Sequence, residues 1–325
     1  MKEITYKQAL GEALGEEMAR DEKVFLLGED IGLYGGVFGV TKGLIDKFGP
    51  ERVRQTAISE SAIIGAAVGA AMLGLRPVAE IMYFDFVAVG MDQIINQAAK
   101  IRYMSGGQVR LPLVIRTQAG GGRGKGAQHS QYLEALFCHV PGLKVVAPSN
   151  ARDAKGLLKS AIRDDCPVLF IENAFLYNEE ALVPEGDYTE PLGQAKVVLE
   201  GRDLTLVTYS AIIGKCLQAC GQLAQEGIST EVIDLRTLVP LDMETILESV
   251  AKTNRVVVVH EAVKRVGFGA EVAAAIMEKA FDDLDGPVLR VGAKESPIPF
   301  AESLEEVVLP SVSDIKEACL ALVGD

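Results

Sequence analysis

Apolar runs rich in β-branched residues, each followed by a stretch with helical spacing, constrain this chain more than any other feature. In the first half they are VFLLG (24–28), PVAEIM (77–82), LPLVIR (111–116), LKVVAP (143–148) and PVLFIE (167–172). Helical patterns lie between them at about 5–20, 61–74, 88–105, 131–138 and 151–163. A strand with one wet face alternates apolar and polar residues, whereas a strand covered on both faces is apolar nearly throughout. Strands of the second kind, alternating with helices, predict an α/β fold on a parallel sheet.

The texture changes at YNEEALVPEGDYTEPLG (177–193), which is polar, proline-bearing and aperiodic and reads as a surface linker. The alternation then resumes, with strands at 203–210, 229–235, 255–261 and 287–292 and helices at 212–226, 242–252, 268–281 and 312–322. The expectation is two parallel-sheet α/β domains, 1–187 and 200–325, joined through a linker region at 177–199. A length of 325 residues suits two domains.

Charge and cysteine usage narrow the function. The net charge is −13, which argues against nucleic acid as the main partner. It is uneven: residues 188–325 hold 12 basic and 22 acidic side chains, against 20 and 23 in residues 1–187. The first 23 residues show no apolar signal block, and the longest apolar run, 62–75, is too short to span a bilayer. Five cysteines form no CxxC pair. Together these predict a cytoplasmic protein with no membrane partner.

In open parallel sheets, ligands bind beyond the carboxyl ends of the strands. Glu29, Asp85, Phe86, His129, His260 and Glu261 fall there. Glu60 stands in Thr56-Ala-Ile-Ser-Glu-Ser61, at the start of an alanine- and glycine-rich helix. A carboxylate there serves the helix dipole or holds a proton for chemistry. The loop TQAGGGRGKGAQHSQ (117–131) misses the phosphate-binding pattern GxxxxGK[ST], because Ala119 takes the first glycine position and Gly126 follows Lys125. His129 behind it reads as a loop-end residue or as a proton donor. The aromatics at 83, 84 and 86 read as core or as a stacking surface for a flat heterocycle. No metal-ligand cluster spacing, no GxSxG elbow and no Gly-Asp-Gly loop of the kind that holds a magnesium diphosphate is present.

Four blocks, TAISESAIIGAA, MYFDFVAVGMDQIINQAAKIRYM, GAQHSQYLEALFCHVPGLKVVAPSNARDAKGLLKSAIRD and HEAVKRVGFGAEVAA with ESPIPFAESLE, make the chain recognisable. They resemble, over essentially its whole length, the beta subunit of the thiamine-diphosphate-dependent component of 2-oxo acid dehydrogenase complexes, of the pyruvate or acetoin type. The resemblance implies a transketolase-like fold, with a pyrimidine-binding domain followed by a transketolase C-terminal domain. It implies an α2β2 heterotetramer in which an alpha subunit supplies the diphosphate and magnesium site. By the same resemblance, Glu60 hydrogen-bonds the aminopyrimidine ring of thiamine diphosphate and sets its tautomer. Phe86 stacks on that ring, Glu29 and Ile58 lie close to it, and His129 faces the substrate and lipoyl channel. Leu113, Ala161, Ile162, Asp164 and Cys166 match a monovalent-cation site, usually potassium, built mostly from backbone carbonyls; Cys166 departs from a more polar residue. The implied reaction is oxidative decarboxylation of a 2-oxo acid, with acyl transfer to the lipoyl arm of an acyltransferase core. Pyruvate is the expected substrate, with acetoin and branched-chain 2-oxo acids as alternatives. The acidic C-terminal domain suggests docking of that core, with Asp282, Asp283, Asp285 and Asp325 as contacts. A self-sufficient transketolase-type enzyme is disfavoured by the missing diphosphate loop.

Overall fold

The computed structural model describes residues 1–324, in two compact units. One comprises Met1–Ala119 and Leu136–Leu192; the other comprises Gly120–Ala135 and the chain from Gly193 onward.

The first unit contains strands β1 (Lys2–Thr5), β2 (Val24–Glu29), β3 (Val53–Thr56), β4 (Arg76–Ile81), β5 (Val114–Ala119), β6 (Lys144–Val146), β7 (Val168–Asn173) and β8 (Glu180–Val183). Six of them form parallel pairs in the order β6-β7-β5-β4-β2-β3. Every residue of β5 and β7 is buried, as continuous strand hydrophobicity requires. The edge strand β3 escapes the sequence pattern because only Val53 of its four residues is buried. Glu180–Val183 was expected to be linker. It is a strand because its backbone pairs antiparallel with β1, a partner nearly the whole unit away in sequence.

The helix expected at 151–163 is Ala151–Arg163, started by the Asn150 side chain, which accepts the Asp153 N–H at 2.9 Å. The helix expected at 88–105 is broken into short α, 3-10 and π segments between Phe84 and Met104. Gly90 lies at that break. A Cβ on it would sit 2.3 Å from Ile64 Cδ1, so the segment and the helix Glu60–Met72 approach too closely for a side chain there.

The second unit contains β9 (Lys196–Leu199), β10 (Leu204–Thr208), β11 (Thr230–Asp234), β12 (Thr237–Val239), β13 (Val256–Val263) and β14 (Leu289–Ala293). Its sheet runs β14-β13-β10-β11-β9, parallel except for the antiparallel edge strand β9. Leu206, Val257 and Val259 share a buried core with Cys216, Cys220, Leu223, Ile315 and Cys319. All five cysteines are free thiols, and these three are packed as small apolar residues. Among the described residues no helix is long and apolar enough to cross a membrane.

Candidate active site

In the first unit, parallel pairing of β2 with β3 sets Glu29 opposite Thr56, so the chain leaving β3 passes beside the end of β2. It runs through Ile58, 77 % exposed, to Glu60, the first residue of the helix Glu60–Met72. Glu60 is half-buried. Ser59 makes no side-chain cap, so the carboxylate of Glu60 is the anion at the positive end of this helix. The Ser61 hydroxyl donates to the Val89 carbonyl at 2.7 Å, and a Cβ on Gly90 would lie 3.3 Å from the Glu60 carbonyl oxygen. The segment that begins with the Phe86 turn (Phe84–Val87) is thereby held against the first turn of the helix. Phe86 itself is half-buried.

Glu29 is also half-buried, and burial raises its pKa above the usual carboxylate range. The negative charges of Glu60, Asp30 and Glu80 add to the effect. Glu80 belongs to a charge network inside the sheet. The Arg116 guanidinium donates to Glu172 at 2.6 and 3.0 Å and to Glu80 at 2.7 Å. Tyr177 Oη donates to Glu172 at 2.6 Å, and Gln118 Nε2 to Glu80 at 3.3 Å. Arg116, Glu80 and Glu172 are all buried, each in a central strand. The signal was present in the sequence: one charged residue stands inside PVAEIM, and one closes each of LPLVIR and PVLFIE. Chain pattern alone does not say that the three meet.

Of the residues matched to a monovalent cation, Ala161, Ile162, Asp164 and Cys166 lie at or just past the end of the helix Ala151–Arg163, and Leu113 immediately precedes β5. The Leu113 carbonyl accepts the Val168 N–H at 2.8 Å, and the Ala161 carbonyl accepts the Asp164 N–H at 3.3 Å. Arg76 Nη1 donates to the carbonyls of Ile162 and Asp164 at 3.0 and 3.1 Å. The Asp164 carboxylate accepts from Lys144 Nζ at 2.5 Å and from the Cys166 N–H at 2.8 Å. Arg102 Nη1 lies 2.7 Å from Cys166 Sγ. Among the described residues, no group of three or more His, Cys, Asp and Glu side chains is placed to hold a metal ion.

The second unit holds His129. The loop amides of Gly121, Gly122 and Gly124 donate to Glu261 Oε1 (2.6 Å), Glu305 Oε1 (2.7 Å) and Glu305 Oε2 (2.9 Å). Arg123 Nη2 donates to the carbonyls of Gly120 (3.3 Å) and His129 (3.5 Å). His129 is half-buried, with its N–H on the Gly126 carbonyl at 3.4 Å. Five residues on, Glu134 is fully buried and accepts from Tyr209 Oη at 2.7 Å. Burial pushes its carboxyl up to about 7, and the charge of Glu261 adds to this. Neither Glu134 nor Glu305 was singled out from the sequence.

His260, ambiguous from the sequence, is a core residue. Its ring is fully buried, with Nδ1 3.1 Å from the Ala262 carbonyl, and burial lowers its pKa to about 4. Cβ atoms on Gly267, Gly269 or Gly292 would lie 2.6–2.9 Å from that ring. Asp282, Asp283 and Asp285 are exposed, and Asp285 pairs with Arg255 at 3.2 Å. Asp325 lies outside the described residues.

Residues 2–179 match the family model of the transketolase pyrimidine binding domain, and residues 193–315 that of the transketolase C-terminal domain. The chain is 50% identical over 316 residues to the pyruvate dehydrogenase E1 component subunit beta of Rickettsia felis, covering 97% of each. It is 48% identical over 327 residues to the acetoin:2,6-dichlorophenolindophenol oxidoreductase subunit beta of Cupriavidus necator, covering 98% of this chain and 96% of that one. Among solved structures it is similar to a split gene transketolase described as an inactive beta4 tetramer. The TM-score is 0.80 at 26% identity, over 99% of this chain and 98% of that one. The two parallel-sheet units are therefore transketolase-like, and the chain belongs to the family of beta subunits that includes those of the pyruvate dehydrogenase E1 component.

Proposed function

We propose that this chain is the beta subunit of a thiamine-diphosphate-dependent pyruvate dehydrogenase component, active only with an alpha subunit in an α2β2 assembly. It would decarboxylate pyruvate oxidatively and pass the acetyl group to the lipoyl arm of an acyltransferase core. The observation that carries the proposal is Glu60. This half-buried carboxylate starts a helix beside the carboxyl end of a parallel strand, with its charge felt by Glu29.

The residues present fit the pyrimidine half of the cofactor. Glu60 is a half-buried carboxyl acceptor at the start of its helix, Glu29 is a carboxyl whose pKa burial raises, and Phe86 offers an aromatic face on the adjoining turn. When bound, thiamine diphosphate supplies the nucleophilic carbon and the electron sink for loss of carbon dioxide. Glu60 would take a hydrogen bond from a protonated ring nitrogen and hold that proton in place. Exposed Ile58 would cover the ring edge, and His129 would serve acyl transfer as a proton donor to the acceptor. The diphosphate and its magnesium are assigned to the alpha subunit, since no Gly-Asp-Gly loop occurs in this sequence.

Replacing Glu60 with Gln tests this in the reconstituted assembly. The expected loss is about 10²-fold or more in pyruvate decarboxylation, with assembly intact. Near-normal turnover overturns the role. Acetoin, which stands in the name of the Cupriavidus necator relative, is the second reading and is not favoured over pyruvate. Side-by-side assay with pyruvate, acetoin and branched-chain 2-oxo acids separates the readings.

The proposed cation site keeps a second lone pair on each backbone carbonyl that already accepts a hydrogen bond. Potassium binding there is expected to raise the unfolding midpoint in potassium chloride over sodium chloride at equal ionic strength.

A further inference from the structure

The loop Gly120–His129 is built like an anion cradle, and the anion in it is one of the chain's own side chains. Successive backbone N–H groups turned to one side form a concave site for negative charge. Here the Gly122 and Gly124 amides converge on the two oxygens of Glu305, at 2.7 and 2.9 Å. Glu305 is only 1% exposed. A carboxylate removed from water is stable when donors replace the lost hydration, and these two amides do so. This accounts for a glycine-rich loop that fits no phosphate-binding pattern: its ligand is internal.

The anchor is firm on both sides. Glu305 lies in the helix Glu302–Val308, with its N–H on the Ala301 carbonyl at 2.9 Å and its own carbonyl accepting the Leu309 N–H at 3.0 Å. Gly121 closes against it: a Cβ there would sit 2.9 Å from Leu309 Cδ1 and 3.2 Å from Glu305 Oε1. Gly124, at φ +60°, takes the left-handed conformation that aims its amide at the carboxylate. Arg123 lies between the two clamped amides, and its guanidinium holds the carbonyls of Gly120 and His129. The His129 N–H in turn holds Gly126. Arg123 therefore links the clamped amides to the backbone at His129.

We propose that Glu305 is a positioning residue for the reaction, fixing the loop and, through it, the orientation of His129. The proposal rests on His129 serving acyl transfer, as proposed above. Its role would be indirect: Glu305 touches no reacting atom.

The test uses the full assembly reconstituted with the alpha subunit, carrying Glu305→Gln, Glu305→Ala, His129→Ala or the double variant Glu305→Ala/His129→Ala. Amide hydrogen exchange over residues 120–129 reads the clamp directly. It should accelerate about ten-fold or more in Glu305→Ala and less in Glu305→Gln, which keeps one acceptor oxygen. For acyl transfer from pyruvate, kcat should fall about ten-fold or more in Glu305→Ala, with KM within about two-fold. In the His129→Ala background the same change should cost nothing further.

Unchanged loop exchange overturns the clamp. Additive losses in the double variant overturn positioning through His129. Full activity in His129→Ala overturns the histidine's role and the positioning with it, while the exchange result still decides the clamp. Should Glu305→Ala fail to assemble, Glu305→Gln carries both readouts.

Discussion

Glu134 shows how far burial moves a single carboxyl. In the unfolded chain it titrates at its ordinary value of 4.5, and in the fold at about 7. Below pH 4.5 both states hold the proton, and stability is unaffected. Between 4.5 and 7 the folded state keeps a proton that the unfolded state has lost, so stability falls as pH rises. Above 7 the penalty is constant, on the order of 3 kcal/mol. Glu134→Gln keeps the acceptor oxygen for Tyr209 and removes the ionisation. The variant should resist urea better than the parent at pH 8, with the advantage vanishing near pH 4.5. Urea midpoints across that range check it, and a pH-independent difference would refute the raised carboxyl. Arg116 illustrates the opposite case. Its charge is retained in the core because Glu80 and Glu172 both face it, and the bidentate geometry toward Glu172 is one that lysine lacks.

At the scale of elements, the helices Tyr6–Arg20 and Ala151–Arg163 join through charge as well as apolar packing. Lys155 and Lys159 have side chains 1% exposed, and both bond Glu16, at 2.6 and 2.7 Å. Lys155 also reaches Glu12, and Lys159 pairs with Asp187. Arg163 bonds Glu17, which is fully buried. Such lysines are held by their partners, so removing a shared partner costs more than removing one lysine. Glu16→Ala should destabilise the protein by roughly 1–3 kcal/mol, discounted because Glu16 is itself partly exposed. Lys155→Met should cost less, because its stem already lies in the interface. Denaturant midpoints of the two variants check the ranking, and the reverse order would remove Glu16 as the keystone of this contact. Lys155 and Lys159 stand in KGLLKSAIR (155–163), and only the facing helix reveals them as buried.

At the scale of the whole molecule, charge is distributed unevenly, with 22 acidic and 12 basic residues between 188 and 325. An acidic surface steers a basic partner, which raises its association rate and makes binding salt-dependent. Asp282 and Asp283 are exposed in the turn Phe281–Asp283. If this face docks the acyltransferase core, reversing both charges to Lys should weaken core binding about five- to ten-fold at low salt, and the difference should shrink as salt rises. Titration of the assembly onto the core at two ionic strengths checks this. Equal, salt-insensitive binding by both forms would remove the acidic face from the interface.

Hydrophobic periodicity by itself determined the fold class. Strands with both faces covered must be apolar throughout, and that requirement is local and visible in a line of residues. The helix Ala151–Arg163 was legible for the same reason, since its cap and its apolar spacing lie within one short stretch. Glu29, Glu60, Phe86 and His129 were legible as candidates because each stands at a strand end or helix start. Only the tertiary structure decided which charges meet. Arg116 finds Glu80 and Glu172 across three strands, and the loop amides find Glu305 some 180 residues further along the chain. Likewise β3, β8 and β9, all edge strands, depend on their pairing partners rather than on their own pattern. Hydrogen bonds and ion pairs act over about 3 Å of space, and sequence separation carries no record of that distance.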